Sequence, residues 1–319
     1  AVEPDARGFA LSLVPVDPLA AAPSLDAPPA WASGDWWTYH VTDELAGSDG
    51  FDVTLVVAGV EGDHWLVGMP GGAFAHDAYI LHLPGIGEVG REDLGWIVHG
   101  ERFAPVQFPL TEGDAWDTSF EGVPAAAKVA SVDGTLATVE IDGVFPMLVT
   151  YDATVGAVTK YAVEGYATVE LTASGRGFEG VVTVPHGHAL ELRYRIGGAL
   201  GPGNAPGAPL DMFEVPEEYD RMALALIQSS VQQSPVTAGA FYERATSPSG
   251  DAYELRVLPA DGPGFHFVTF DVPEPAGEWR FEHVAGGAGI VGAEMVFFHQ
   301  YDVTLPEGTV SSPESGHEH

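Results

Sequence analysis

Cysteine is absent from the 319-residue sequence, which excludes disulfide scaffolds, thiolate metal sites and cysteine nucleophiles. No apolar run approaches the roughly 18 residues that a membrane-spanning helix needs, so no membrane span is predicted. Local signatures of catalysis are also missing, since the sequence has no nucleophile elbow, phosphate-binding glycine loop, zinc-protease helix or calcium loop. These absences favour a protein that is not an enzyme.

Basic residues are scarce. Lys128 and Lys160 are the only lysines, and 12 Lys+Arg against 46 Asp+Glu give a formal net charge of −34. Such a surface repels nucleic acid and anionic membranes, so neither is an expected partner. It suits high salt, where screening relieves the self-repulsion, and this favours a halophilic or marine source.

The chain has enough apolar residues, 45%, to bury two ordinary cores. It opens at Ala1 without a methionine, as expected after removal of a signal peptide. Together with abundant Gly, Pro, Thr and Val, this favours an exported protein of the cell surface or extracellular space. A cytosolic protein is the alternative.

Residues 1–30 are predicted to form an extended N-terminal arm. Phe9, Leu11 and Leu13 alternate with small residues, a period-2 pattern typical of one strand. The prolines that follow, from Pro15 to Pro29, stiffen an extended linker. The strand can pair at an edge of its own chain, or it can act as a donor strand that completes a sheet in a neighbouring subunit.

Residues 31–184 are predicted to form an antiparallel β-barrel or half-barrel. Aromatic and β-branched residues from Trp36 to Val41 begin a series of about ten short strands with no helix longer than a turn. Turn residues such as Gly62, Gly134 and Gly165 separate them. The tryptophans of this region are predicted to fill the core of a twisted sheet.

Two motifs in this region carry a resemblance. Gly34-Asp35-Trp36-Trp37-Thr38-Tyr39 and Phe108-Pro109-Leu110, continued by Thr111 to Trp116, resemble a pattern of exported bacterial and archaeal proteins. In those proteins the motifs belong to a curved antiparallel sheet similar to lipoprotein-carrier half-barrels. The resemblance covers about half of the chain and implies the fold more than an activity.

Residues 185–305 are predicted to form a β-sandwich interrupted by a Gly/Pro-rich loop at 197–216. Residues 217–231 fit either a helical face or a strand, and a short helical turn feeding a strand is the preferred interpretation. Thr246-x-Pro248-x-Gly250 before one strand and Gly277-Glu278-Trp279 opening another resemble jelly-roll and immunoglobulin-like accessory domains of secreted proteins. Residues 306–319 are predicted to be an unstructured tail.

Histidines are the metal-capable side chains of this sequence. His186 and His188 lie two residues apart, on one face of an extended segment, and His317 and His319 repeat the spacing around Glu318. Neutral imidazole is a common ligand of copper and zinc, so these four residues are the predicted metal ligands. The alternative is that each is solvated or hydrogen-bonded within a core.

The sequence therefore favours an all-β, self-associating structural protein. Its leading interpretation is a filament subunit that assembles by donor-strand exchange through Phe9, Leu11 and Leu13. The alternative is a secreted binding protein for copper, zinc or a lipid-like ligand.

Overall fold

The computed structural model describes most of the chain as β-strands joined by turns. The described residues are 23–43, 50–71, 85–98, 101–120, 123–143, 146–165, 167–194, 209–215, 219–228, 241–257, 264–285, 290–306 and 309–311. They contain no α-helix, which confirms the all-β prediction. In these ranges no helix is long and apolar enough to cross a membrane.

The chain divides into two compact units. Described residues up to 42, from 50 to 188 and from 300 onward belong to the first unit, and those within 189–299 belong to the second. The C-terminal segment thus returns to the first unit after the second is complete.

Among the described residues up to 188, the first unit contains twelve strands and part of a thirteenth. They are β1 (Trp36–Asp43), β2 (Phe51–Glu61), β3 (His64–Pro70), β4 (Gly87–Gly90), β5 (Trp96–Val98), β6 (Glu101–Phe103), β7 (Ala115–Phe120), β8 (Val123–Asp133), β9 (Leu136–Asp142), β10 (Met147–Asp152), β11 (Ala157–Val163), β12 (Ala167–Gly175) and β13 (Gly180–Tyr194). Their order in the main sheet is β13-β3-β2-β1-β12-β11-β10-β9-β8-β7, with β4 also paired to β3 and β5 paired to β6. Sequential strands from β7 to β12 form antiparallel hairpins.

Glycine turns set these hairpins as the sequence predicts. Gly62 joins β2 to β3 with φ of 55°, and Gly134 joins β8 to β9 with φ of 62°. An L side chain rarely adopts this left-handed backbone, so glycine or asparagine is favoured at such a point.

In the hairpins from β7 to β12, the sheet has a buried and an exposed face, as β9 illustrates. Along β9, Ala137, Val139 and Ile141 are buried, whereas Glu140 between them is exposed. This alternation is typical of a strand with one face on a core. Lys128 lies opposite Glu140 on the exposed face, and Lys160 on the same face forms an ion pair of 2.6 Å with Glu170.

The second unit is a two-sheet sandwich. Its strands are β14 (Pro209–Val215), β15 (Arg221–Gln228), β16 (Phe241–Thr246), β17 (Ala252–Val257), β18 (Gly264–Asp271), β19 (Gly277–Ala285) and the first ten residues of β20 (Ile290–Leu305). One sheet has the order β18-β15-β20 and the other β14-β19-β16-β17. Trp279 and Phe281 of one sheet and Met222 and Phe297 of the other are fully buried in a shared core.

Two local predictions are wrong, and a third is tested only in part. The segment predicted as a Gly/Pro-rich loop at 197–216 contains β14, because pairing with β19 supplies hydrogen bonds that its composition does not suggest. Of residues 217–231, the structure describes 219–228, which contain the expected strand as β15, while the helical turn expected before it falls partly outside the described residues. The predicted tail contains β21 (Thr309–Ser311), which pairs with β20.

Candidate functional site

Most of the residues predicted to act lie outside the described part of the chain. This holds for Phe9, Leu11 and Leu13 of the arm and for His317 and His319 of the C-terminus. The donor-strand and C-terminal metal predictions therefore stay predictions.

His186 and His188 both lie in β13, and their spacing places them on the same face of that strand. Their side chains are outside the description. Within the ranges given above, no group of three or more His, Asp or Glu side chains is placed to hold a metal ion. The prediction that copper or zinc binds here stays a prediction.

The end of the proline-rich linker, residues 23–31, is fixed against the first unit, and we call this segment the strap. The backbone N–H of Leu110 donates to the carbonyl of Leu25 at 2.8 Å. The indole N–H of Trp31 donates to the carbonyl of Gly156 at 2.7 Å. A side chain at Gly156 would lie 3.1 Å from Pro29, so glycine allows the strap to approach closely. The strap is therefore packed rather than free.

Trp31 is held in a cluster of tryptophans. Its ring centroid lies 4.7 Å from that of Trp37 on β1 and 5.8 Å from that of Trp65 on β3. All three side chains are buried, as the sequence predicts for Trp37 and Trp65. Arg91 lies over Trp65, 4.9 Å from the ring centroid, at a distance typical of a cation–π contact.

A tight turn connects the strap to β1 and positions a carboxylate. The N–H of Asp35 donates to the carbonyl of Ala32 at 3.0 Å, and Gly34 has φ of 86°, which is the pattern of a type II turn. The Asp35 carboxylate in turn accepts a hydrogen bond from the N–H of Ala32 at 2.9 Å. The carboxylate is 6% exposed, so the turn holds a buried acid.

The strap, the turn after β10 and the end of β12 enclose a cleft of about 270 Å³, which we call the strap cleft. Its aromatic lining consists of Trp31, Trp37 and Tyr151. Its charged lining consists of Asp35 and Arg176. All of these residues belong to the first unit.

Two groups in the strap cleft have altered acidity. Burial raises the pKa of Asp35, while the Ala32 hydrogen bond and the Arg176 charge partly offset that rise. Burial, with a smaller effect from neighbouring Asp152, also raises the pKa of Tyr151. The tyrosine therefore keeps its proton at neutral pH and remains a hydrogen-bond donor.

Arg176 lies close to Asp35 without forming a hydrogen bond to it. Its Nε is 3.7 Å from Oδ1 of Asp35, which is longer than a hydrogen bond, and its side chain is 68% exposed.

Sequence reasoning missed Asp35, Tyr151 and Arg176 as a group. Asp35 is more than 100 residues from the other two, and β11 and β12 lie between Tyr151 and Arg176, so no local pattern links the three.

Comparison with known proteins gives weak likenesses only. No family model and no curated protein matches the chain. Similar solved structures include MucB, with 12% identity over 76% of this chain and 88% of MucB, at a TM-score of 0.23. Another is a glycoside hydrolase family 43 arabinoxylan arabinofuranohydrolase from Bacillus subtilis, with 10% identity over 79% of this chain and 65% of the hydrolase, at a TM-score of 0.20. A third is an exo-β-1,3-galactanase from Phanerochaete chrysosporium, with 10% identity over 85% of this chain and 70% of the galactanase, at a TM-score of 0.19.

The comparison corrects one prediction. The chain was expected not to be an enzyme; two of the solved structures to which it is weakly similar are glycosidases, so this expectation is not upheld. TM-scores near 0.2 assign no reaction, substrate or catalytic residue to this chain.

Proposed function

We propose that the protein is an exported structural protein of the cell surface or extracellular space, and that its arm joins neighbouring copies by donating a strand. The observation that carries this proposal is the packed strap. Hydrogen bonds from Leu110 to Leu25 and from Trp31 to Gly156 tie the strap to the first unit. The arm therefore begins at a fixed point, Pro23, on the surface of its own subunit.

The length of the arm supports exchange between subunits. Phe9 lies fourteen positions before Pro23, and an extended chain spans at most about 3.3–3.6 Å per residue. Phe9 can therefore reach about 50 Å from the strap. Pro15 and Pro18 between them disfavour a helix and favour an extended spacer. This reach greatly exceeds the roughly 5 Å between neighbouring strands, so pairing is not limited to the strands beside the strap.

A donor strand needs an open sheet edge. Within the described part of the chain, β17 ends the order β14-β19-β16-β17, with β16 as its neighbour in that sheet. An edge strand presents a row of N–H and C=O groups that an incoming strand can pair with. Leu255 of β17 contributes to the buried core, so a strand added there would extend a sheet that already has an apolar face. We propose this edge as the acceptor.

Deletion of residues 1–14 tests the proposal. We expect the full chain to form oligomers or filaments by light scattering and electron microscopy, and the deletion variant to remain monomeric with an unchanged melting temperature. Leu11→Asp should act like the deletion, because it places a charge on the apolar face of the strand. Ser12→Asp, on the opposite face, is the matched control and should assemble. A deletion variant that assembles normally, or a full chain that stays monomeric, contradicts the proposal.

A second candidate function is metal binding along β13. It is supported by the position of His186 and His188 two residues apart in one continuous strand. Titration with Cu²⁺ or Zn²⁺ followed by calorimetry should then give a binding heat that His188→Ala removes. His40→Ala, at a histidine paired with Asp52 in the first unit, is the control and should not change the heat. Absence of tight binding at neutral pH contradicts the candidate.

A further inference from the structure

We propose that residues 9–14 of one copy pair antiparallel with β17 of a neighbouring copy in a single register, in which Ser12 lies opposite Glu254. This proposal rests on the strand donation proposed above and adds the direction and the register of the pairing. It follows from the backbone of β17, from the length of that strand and from the residue pattern of the arm.

Three residues of β17 offer their backbone groups to an incoming strand. The N–H of Ser247 donates to the carbonyl of Asp251 at 2.9 Å, and the same antiparallel register continues without a shift along β16 and β17. Residues of an antiparallel strand alternate between those that bond to the partner and those whose N–H and C=O point away from it. Counted from Asp251, the groups that point away from β16 belong to Ala252, Glu254 and Arg256.

The inner face of β17 suits apolar side chains from an added strand. Leu255 is 6% exposed in the core of the second unit. Tyr253 packs on Trp279 and Phe270, with ring centroids 5.4 and 5.2 Å away, but it is only partly buried. An apolar side chain placed beside Tyr253 would remove more of its ring from water.

The outer face of β17 suits small uncharged side chains. Glu254 forms ion pairs with Arg244 at 3.1 Å and with Arg256 at 3.0 Å. Burial of a charge costs free energy unless the charge stays paired, so an incoming strand must leave this network intact. Small uncharged residues do so, because they neither compete for Glu254 nor displace either guanidinium.

The arm contains a segment that matches both faces of β17. Residues 9–14 carry no charge and no proline, Pro15 follows them, and β17 has six residues, as the segment does. With Ser12 opposite Glu254, the large apolar residues of the segment oppose the inner-face positions of the strand. These pairs are Leu13 with Tyr253, Leu11 with Leu255 and Phe9 with Val257. A shift by two residues in either direction leaves Phe9 or Leu13 beyond the end of β17.

The remaining residues of the segment meet the outward backbone groups. Ala10, Ser12 and Val14 then oppose Arg256, Glu254 and Ala252, and each pair can form two backbone hydrogen bonds. The antiparallel direction agrees with the sheet, because β14, β19, β16 and β17 are joined by antiparallel pairs alone and purely antiparallel sheets are over-represented.

Two other sheet edges among the described residues suit an added strand less well. The segment after β6 lies against β7, where the N–H of Ala104 donates to the hydroxyl of Thr118 and the indole of Trp116 donates to the carbonyl of Ala104, both at 3.0 Å. At the other end of the acceptor sheet, β14 begins with Pro209 and its pairing with β19 is interrupted by a register shift. Proline and bulges protect an edge strand from pairing.

Engineered disulfides test the register, because the chain has no cysteine of its own. Full chains with Ala10→Cys are mixed with full chains with Arg256→Cys, allowed to assemble and oxidised with diamide. Opposed residues of this kind lie about 5.5 Å apart at Cα, within the roughly 4.4–6.8 Å that a disulfide spans. We expect most chains to migrate as a covalent dimer in non-reducing electrophoresis, with a junction between positions 10 and 256 identified by mass spectrometry.

Ser12→Cys mixed with Arg256→Cys is the matched control. In the proposed register these positions are diagonal neighbours about 7–8 Å apart, beyond the roughly 7 Å at which a disulfide can form, so they should link only at background level. Parallel pairing, or an antiparallel register shifted by two residues, would instead bring them opposite each other. Efficient linkage in this control therefore overturns the proposal. The melting temperature of each variant verifies that it is folded.

The outcomes separate this proposal from strand donation itself. If the full chain assembles but the Ala10→Cys mixture does not link, the register is wrong while donation to another edge stands. If the full chain stays monomeric, donation is wrong as well. In the double variant Ala10→Cys/Arg256→Cys, a disulfide within one monomeric chain would place the arm on its own β17 and overturn the pairing between copies.

Discussion

Replacement of Trp31 measures how much the packed strap stabilises the first unit. Trp31 is 7% exposed, contacts two other indole rings and donates a hydrogen bond to Gly156 at 2.7 Å. Removal of a buried tryptophan side chain to alanine typically costs about 3–5 kcal/mol through lost burial and the cavity that remains. The hydrogen bond accounts for about 1 kcal/mol of that cost. We therefore expect Trp31→Ala to destabilise the first unit by about 3–5 kcal/mol.

The change should be visible as a shift in melting temperature. For a unit of 150–250 residues each kcal/mol shifts the midpoint by about 2–4 °C, so we expect a decrease of about 6–20 °C in scanning calorimetry. Trp31→Phe keeps an aromatic ring and loses the N–H, so it should lie closer to the wild type. Proteolysis within residues 23–30 should become faster in Trp31→Ala, because the strap loses its main anchor.

Leu148→Ala is the control for this experiment. Leu148 is 38% exposed on the open face of the sheet, and substitutions at such positions usually change stability by about 0.5 kcal/mol or less. If Trp31→Ala lowers the melting temperature no more than Leu148→Ala, the strap does not contribute to the fold as argued. If Trp31→Phe and Trp31→Ala lower the melting temperature equally, the argument that ring packing contributes more to stability than the hydrogen bond is wrong.

Three further predictions follow from the turns and cores. Gly34→Ala should cost more than Gly113→Ala, because both have φ near 90° but only at Gly34 would the new methyl lie 3.1 Å from backbone; chemical denaturation compares them. Because burial raises the pKa of Asp35 from its ordinary 3.8, the folded chain holds that proton more tightly than the unfolded chain. The wild type should then lose stability relative to Asp35→Asn as pH rises from about 4 through the raised value, and a constant difference between them would contradict this. Trp279→Phe should destabilise the second unit by about 1–3 kcal/mol in the same denaturation assay, because the buried carbonyl of Pro275 loses its donor at 2.6 Å. An unchanged midpoint would show that water replaces the indole.

The hairpins of the first unit were predictable where local signals agree. The sequence indicates strands at 115–120 and 157–163, where alternation and turn residues both mark the ends, and β7 and β11 have these bounds. It also indicates a strand at 128–132, whereas β8 is longer and starts at Val123. Its first residues include Pro124 and three alanines, and their strand conformation comes from pairing with β7 rather than from propensity.

Pairings between distant segments had no local signal. Phe213 pairs with Trp279 across more than 60 residues, so β14 forms within a stretch whose composition predicts a loop. Where the chain returns to the first unit, the hydroxyl of Thr183 in β13 donates to Asp302 of β20 at 2.7 Å. Such contacts depend on tertiary structure and are invisible to a window of neighbouring residues.

The strap cleft, too, could be predicted only in part from the sequence. The Gly34-Asp35 turn was readable from the sequence, and so was the concentration of tryptophans around it. The cleft around the Asp35 carboxylate was not readable from the sequence, because its lining also includes Tyr151 of β10 and Arg176, the residue that follows β12. Local chemistry predicted the turn, and only the pairing of β1 with β12 brings Arg176 beside it.

The placement of the two lysines has a practical consequence. Lys128 and Lys160 both lie on the open face of one sheet, each opposite a glutamate. Any amine-directed reagent that modifies a lysine side chain will therefore mark that single face. Biotin attached through these amines would immobilise the protein with the same sheet turned toward the support. Cross-linkers of this chemistry would report contacts made by that face and would miss contacts made by the rest of the molecule.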